Sequence, residues 1–324
     1  MDSNEHSVMF SIVLPTYNVG EYIDRCIASC INQEYPDFEV IVVDDCGTDD
    51  SIEKAEKWAQ QDSRVRIIRN PKNLGTFHAR KRGVEESNGK YIIFVDPDDE
   101  IHSKTLIKIK NALKEREIDL ILYGVMSNND KSKKKSNLPI SCESNDEIFR
   151  IIFLKASKLA YGTAGKAFSR NSLLYAYNAL DINTNERLVY AEDALIFFTA
   201  SLFSRNSISV NEKFYTYHRE RSSITKNNEP QQIRHKTNQI YLISSHIYRI
   251  LGSQQQLSTY AEDSGKRVIE KLISDSALLN RHNNKKDGGS EYIKHTFESF
   301  RMRWSAADLI RIAVYIMTIK KIRL

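Results

Sequence analysis

Five short runs rich in Val and Ile recur along the first third of the chain, at residues 10–14, 40–43, 65–68, 91–95 and 120–123. Between them lie stretches of helical pattern, at about 20–33, 50–61, 76–87 and 103–116. Strands apolar on both faces need cover on both faces, and the connecting helices supply it. The expected fold is therefore α/β, a doubly wound and mostly parallel sheet. In such sheets ligands lie beyond the carboxyl ends of the strands, so the residues that end each run are the informative ones.

Those residues are polar. The first run ends in Pro15-Thr16-Tyr17-Asn18, the second in Asp44-Asp45 and the fourth in Asp96-Pro97-Asp98-Asp99. Carboxylates at several strand ends point to a cation or to a ligand bearing N–H donors. Asp96-Pro97-Asp98-Asp99 places hard oxygen ligands where a divalent cation bound to a diphosphate would sit; the plain alternative is an acidic turn capping the helix near Ser103. Asp45 suits the ring N–H of a pyrimidine, while Thr48, Asp49 and Ser51 are helix-starting residues. A receiver-type phosphoacceptor site also pairs aspartates at strand ends, but it needs only about half this length.

After the third run, Gly75 and Thr76 suit a tight turn into a helix whose amide end favours anions. Arg80 lies one turn further in, within reach of a phosphate or base, or else on the surface. Neither a dinucleotide fingerprint nor a P-loop is present. Further on, Glu192 and Asp193 precede an apolar helix; one ionised carboxylate there is a natural general base, and acids are also ordinary in a helix's first turn. His218 ends an extended stretch and is either a ligand to the metal or diphosphate or a surface histidine.

Composition sets the outer bounds. The 324 residues hold 12 Gly and 6 Pro, too few for collagen-like or low-complexity chains, and 10% aromatic residues argue against disorder. Four cysteines without CxxC spacing fit neither a disulfide scaffold nor zinc, and suit a reducing compartment. The first apolar stretch, 8–14, is broken by Ser11 and preceded by Asp2 and Glu5, so no signal peptide is expected. Residues 226–324 carry 17 basic and 9 acidic side chains, against 30 and 33 in residues 1–225. The basic excess is confined to the tail, so a nucleic-acid partner is not expected.

Residues 128–137 read as a solvated loop. A second block follows, with helices near 145–156, 170–178 and 192–203 and an extended stretch near 207–218. The last third reads as helical, with a polar break at 280–290. The expected division is a domain over 1–225, in two halves (1–100 and 101–225), and a basic helical region over 226–324.

Taken together, PTYN, VVDDCGTDDS, KNLGTFHAR, FVDPDD, AED and YHRERSS stand in an order that resembles inverting family-2 glycosyltransferases of the GT-A fold. The likeness covers about residues 9–225 and implies that the domain over 1–225 is catalytic, with a nucleotide half followed by an acceptor half. The wording SCINQ, VVDDCG and NLGTF.AR is similar to bacterial lipooligosaccharide β-1,3-galactosyltransferases. The resemblance implies that a UDP-sugar donor is bound by Pro15, Tyr17, Asp45, Arg80, Asp96, Asp99 and His218. It implies Mn²⁺ or Mg²⁺ on Asp96, Asp98 and His218, Asp193 as catalytic base, and Lys166 and Glu192 on the acceptor side. Thr163 and Ala164 stand where relatives usually carry an aromatic residue, so acceptor stacking is not expected there. A sugar-nucleotide pyrophosphorylase would want a Gly-rich basic loop in place of PTYN, and a basic binding protein would leave the acidic strand ends unexplained.

The tail adds a last expectation. In residues 301–324, Arg301, Arg303, Arg311, Lys320, Lys321 and Arg323 punctuate an apolar series that includes Trp304 and Ile312. The apolar run 312–319 is too short to span a bilayer. It suits either a helix lying on an anionic inner membrane face, where a lipid-linked acceptor would be presented to a cytoplasmic enzyme, or a helix packed on the catalytic domain.

Overall fold

The central strand β1 (Phe10–Thr16) is buried along its whole length and pairs in parallel with β2 (Phe38–Asp44) and β4 (Tyr91–Phe94), while β2 pairs in parallel with β3 (Val65–Arg69). This computed structural model describes residues 8–128, 138, 141–155, 161–218, 229–254 and 256–283. The helices α1 (Ile23–Ile31), α2 (Ser51–Gln61) and α3 (Thr76–Glu85) connect these strands, as the periodicity predicts. Ile12, Leu14, Val40 and Val42 meet Ile23, Cys26 and Ile27 of α1 in one core cluster. Each such side chain contributes roughly 1.5–3 kcal/mol by leaving water.

The second half of the sheet is mixed. After β5 (Glu100–Ile101) and α4 (Thr105–Leu113) come β6 (Leu120–Ser127), β7 (Ser141–Cys142) and α5 (Asn145–Glu147), the last continuing as a π-helical segment Ile148–Lys155. Next are β8 (Lys166–Ser169), α6 (Arg170–Leu180), α7 (Glu192–Leu202) and β9 (Ser207–Tyr217). The strand order is β3-β2-β1-β4-β8-β6-β9-β5, with β7 beside β9. Strand β8 runs antiparallel to both β4 and β6 and joins the two halves of the sheet. Because β5 intervenes, the acidic turn at 96–99 does not cap α4.

Helix α7 is buried nearly all round, as its EDALIFFTASL sequence demands. Its Phe197 stacks on Phe153 with centroids 4.9 Å apart. Helix α8 (Pro230–Ser253) packs on α6 and α7. The chain divides into units Met1–Ser276 and Ala277–Leu324. The expected boundary at 225/226 is thus corrected: α8 and most of α9 (Thr259–Asn283) belong with the sheet. The reason is that α8 covers the apolar outer side of α7. The last part of the expected basic tail, residues 284–324, lies outside the described residues. Among the described residues no helix is long and apolar enough to cross a membrane.

Candidate active site

The crevice opens where β1 and β4 part. Their pairing ends at Val13 and Phe94, with Val95 N–H donating to the Val13 carbonyl at 3.1 Å, whereas β1 and β2 stay paired to Thr16 and Asp44. Pro15 lies two residues past Val13 and faces the same side, where the ladder has stopped, so its missing N–H costs no bond. Tyr17 follows on the rim and is exposed.

The acidic turn is braced from three sides. Arg25 of α1 donates to the Asp98 carbonyl at 2.6 Å and pairs with Glu100 at 3.3 Å. The fully buried Tyr215 of β9 donates its hydroxyl to Asp99 at 2.7 Å and accepts the Asp96 N–H at 3.2 Å. His218 N–H donates to Asp99 at 2.8 Å. Behind the turn, Gln33 of the SCINQ wording donates to the His102 carbonyl and Ser29 accepts the Ile101 N–H, which anchors β5. Burial and the neighbouring Asp96 and Asp98 push Asp99 up to about 8.

Asp45 is also turned inward. One of its oxygens accepts from Asn70 at 2.8 Å and from Leu74 N–H at 2.9 Å, and the other accepts Gly75 N–H at 2.8 Å. The anion expected at the amide end of α3 is therefore this carboxylate, supplied by the chain itself. Asp45 shapes the wall of the crevice by fixing the 70–75 loop, in contrast to the expected open carboxylate awaiting a base. Gly75 sits at φ 89°, and a Cβ there would lie 2.9 Å from Arg187, the Leu188 carbonyl and Val189, so only glycine fits this turn.

Arg80 is no surface residue. It is 3% exposed and pairs with Asp96 at 2.6 Å and Glu192 at 2.5 Å. In this arrangement its charge is committed to carboxylates of both halves and is not turned to a base. Ala191, at φ 63°, precedes Glu192 in left-handed backbone, a conformation that costs an L-residue roughly 1–2 kcal/mol. That turn delivers Glu192 and Asp193 to the crevice. Helix α8 secures the segment before it, since Gln239 accepts Val189 N–H at 2.8 Å and donates to the Arg187 carbonyl at 3.1 Å. Burial pushes Glu192 up to about 7 against the pull of Arg80, and burial likewise raises Asp193.

Lys166 corrects an expectation. It is 2% exposed, gives its ammonium to the Gly162 carbonyl at 2.6 Å, and lies 4.4 Å from the Phe197 ring centroid. It lies under the 162–165 loop, because as the first residue of β8 it points into the core above α7. It does not present itself to an acceptor. His218 is a second correction. Its Nε2 meets Glu100 at 3.1 Å and its Nδ1 meets Asn128 at 3.3 Å, so the ring braces the acidic turn from behind.

The remaining donor set fits a hard cation. Asp96, Asp98 and Asp99 crowd three carboxylates into one turn, and the Asp96 side chain remains 40% exposed. Among the described residues no three His, Cys, Asp or Glu side chains form a ready ligand group, so a cation here would complete its shell from a bound diphosphate. Tyr215, Arg25 and Gln239 were missed by sequence reasoning. Tyr215 alone had a signal, two residues before the Tyr217-His218 of the quoted motif.

The chain is similar in sequence and fold to known proteins. The glycosyltransferase EpsJ of Bacillus subtilis is 28% identical over 223 residues, which is 67% of this chain and 63% of EpsJ. The chain thus spans less than two thirds of that relative. TarS 1–349 of Staphylococcus aureus, solved with UDP-GlcNAc, superposes with a TM-score of 0.62 at 22% identity, covering 82% of this chain and 71% of that one. The mannosyltransferase PcManGT of Pyrobaculum calidifontis, solved with GDP-Man and Mn²⁺, gives 0.54 at 13% identity, covering 97% and 86%. Both share the GT-A-type fold. The family model described as glycosyl transferase family 2 matches residues 11–177, and the chain belongs to that family.

Proposed function

We propose that the chain moves a hexose from a UDP-sugar to a hydroxyl of a surface-glycan acceptor, with inversion at the anomeric carbon. Galactose is the sugar we infer first, with N-acetylgalactosamine and glucose as alternatives. The observation that carries this reading is Arg80, whose guanidinium ties Asp96 of the donor turn to Glu192 beside Asp193. One guanidinium thereby sets a strand-end acid and a helix-start acid across a single crevice. Pro15 and Tyr17 line its nucleotide end. Asp193 accepts the proton of the attacking hydroxyl, and Glu192 lies beside it, turned to Arg80. Asp96 and Asp98 would hold Mn²⁺ or Mg²⁺. Such an ion, when bound, neutralises charge on the departing diphosphate. Asp45 and Asp99 keep the two strand-end turns in shape for this binding.

A panel of UDP-galactose, UDP-N-acetylgalactosamine, UDP-N-acetylglucosamine, UDP-glucose and GDP-mannose, offered with Mn²⁺ and an oligosaccharide acceptor, tests the reading. Transfer from one UDP-sugar is expected, with a loss of at least about 100-fold in EDTA. Asp193→Asn should keep UDP binding and lose about 100- to 10,000-fold in transfer. Preference for GDP-mannose would overturn the uridine assignment, full activity in chelator would remove the metal, and turnover by Asp193→Asn would remove the base.

A further inference from the structure

Residues 161–165, the short loop leading into β8, press on Asp193. At Gly162 an added Cβ would lie 2.5 Å from Asp193 Oδ2, so the carboxylate rests directly against this backbone. The loop is fixed at both ends. Tyr161 stacks on Phe153 at 6.0 Å, and Phe153 in turn stacks on Phe197 of α7. At the other end, Lys166 donates to the carbonyls of Gly162 and Ala164, at 2.6 and 3.3 Å, from above the Phe197 ring. A buried ammonium is costly, and neither of these carbonyls neutralises it. Asp193 is the anion that faces it.

We propose that Lys166 and Gly162 are positioning residues for Asp193, the lysine clamping the loop and setting a cation beside the carboxylate, the glycine leaving the room the carboxylate occupies. The inference rests on the reading of Asp193 as the base. The charged groups facing Asp193 are Arg80, Asp96, Glu192 and Lys166. Arg80 already pairs with Asp96 and Glu192. Lys166 is the second cation facing Asp193, and it draws Asp193 toward the ionised form. Burial holds Lys166 down to about 7 while Asp193 pulls it up. Asp193 also accepts its neighbour Ala194's N–H at 2.8 Å, which orients one oxygen and leaves Oδ2 against Gly162.

The test compares the full chain with Lys166→Met, Lys166→Arg and Gly162→Ala. UDP affinity, melting temperature and the pH profile of UDP release are measured, using the UDP-sugar that turns over fastest among the galactose, N-acetylglucosamine and glucose donors. All three variants should bind UDP within about twofold of the parent, since none touches the donor turn. Lys166→Met should move the acid limb of kcat upward by about one pH unit, a tenfold loss on that limb, and Lys166→Arg should restore most of it. Gly162→Ala should lower kcat about tenfold or more at every pH, with KM for the donor unchanged, because a misplaced reacting group is costly. Its crystal structure should show Asp193 displaced, a readout independent of turnover. A parental pH profile in Lys166→Met, or Asp193 unmoved in Gly162→Ala, overturns the inference. If Lys166→Met fails to fold, Gly162→Ala decides. Turnover by Asp193→Asn would instead overturn the base assignment, whereas an inactive Asp193→Asn beside parental Lys166→Met and Gly162→Ala would overturn this inference alone.

Discussion

The carboxylates on the two sides of the crevice are held in opposite ways. On the donor side, Asp45 and Asp99 are satisfied by neutral donors: three N–H groups for Asp45, and a tyrosine hydroxyl and a main-chain N–H for Asp99. On the acceptor side, Glu192 is met by a guanidinium, and Asp193 faces that guanidinium and a buried ammonium. Neutral donors fix Asp45 and Asp99 in place, and the flanking Asp96 and Asp98 are left to attract a cation. Charged partners offset the cost of burying the acceptor-side acids, whose pKa values burial raises. Asp96 belongs to both sides, with one oxygen on Arg80 and a largely open flank.

The contrast can be broken at Arg80. Arg80→Met strands the buried Glu192 and should destabilise the fold by about 3–5 kcal/mol at pH 8, measured by denaturant unfolding, because an unpaired buried charge is left behind. At pH 5 Glu192 can take up a proton, and the penalty should shrink. A stability difference independent of pH would mean that the acceptor-side acids do not depend on cationic partners.

A subtler measurement compares the parent with Glu192→Gln across pH. Glu192 titrates in the fold at about 7, above its ordinary 4.5. Its contribution is therefore fully present below 4.5 and is lost as pH rises through about 7. The parent should lose up to about 3 kcal/mol relative to Glu192→Gln over that window. The reverse slope would mean that the pull of Arg80 outweighs burial at Glu192. The smallest effect is expected at Tyr215→Phe, which deletes one neutral donor to Asp99. It should cost about 1–3 kcal/mol in urea unfolding and leave UDP release by the acceptor-side machinery within a few-fold. A loss as large as that of Arg80→Met would erase the distinction between the two sides.

Much of the donor half could be read from the sequence, because β1, β2 and β4 are buried on both faces and write themselves as unbroken Val and Ile runs. The convergence of Asp45, Asp96 and Asp99 followed from where those runs stop. What could not be read was which way each polar side chain turns. Arg80 looks like any helical arginine until α7 brings Glu192 beside it, across 112 residues. Lys166 opens β8, whose sequence KAFS has too little apolar length to announce a strand. Nothing local marks it as buried or antiparallel. The 225/226 boundary was misplaced for a related reason: the shift to basic composition is a surface property, while α8 is held by Ile233, Ile240 and Ile247 on its inner face.

Strand β8 also sets an order of assembly. Strands β3, β2, β1 and β4 lie on one side of it and β6, β9, β5 and β7 on the other, and among the described residues no pairing links the two sets except through residues 166–169. A chain emerging from the ribosome can pair its first four strands as soon as residue 94 is free. Until Ser169 follows, it carries Tyr91-Ile92-Ile93-Phe94 as an open and wholly apolar edge. Such an edge is a template for pairing with a second chain. The strand that opens with Lys166, under the loop against Asp193, thus also closes the most adhesive border of the chain during synthesis.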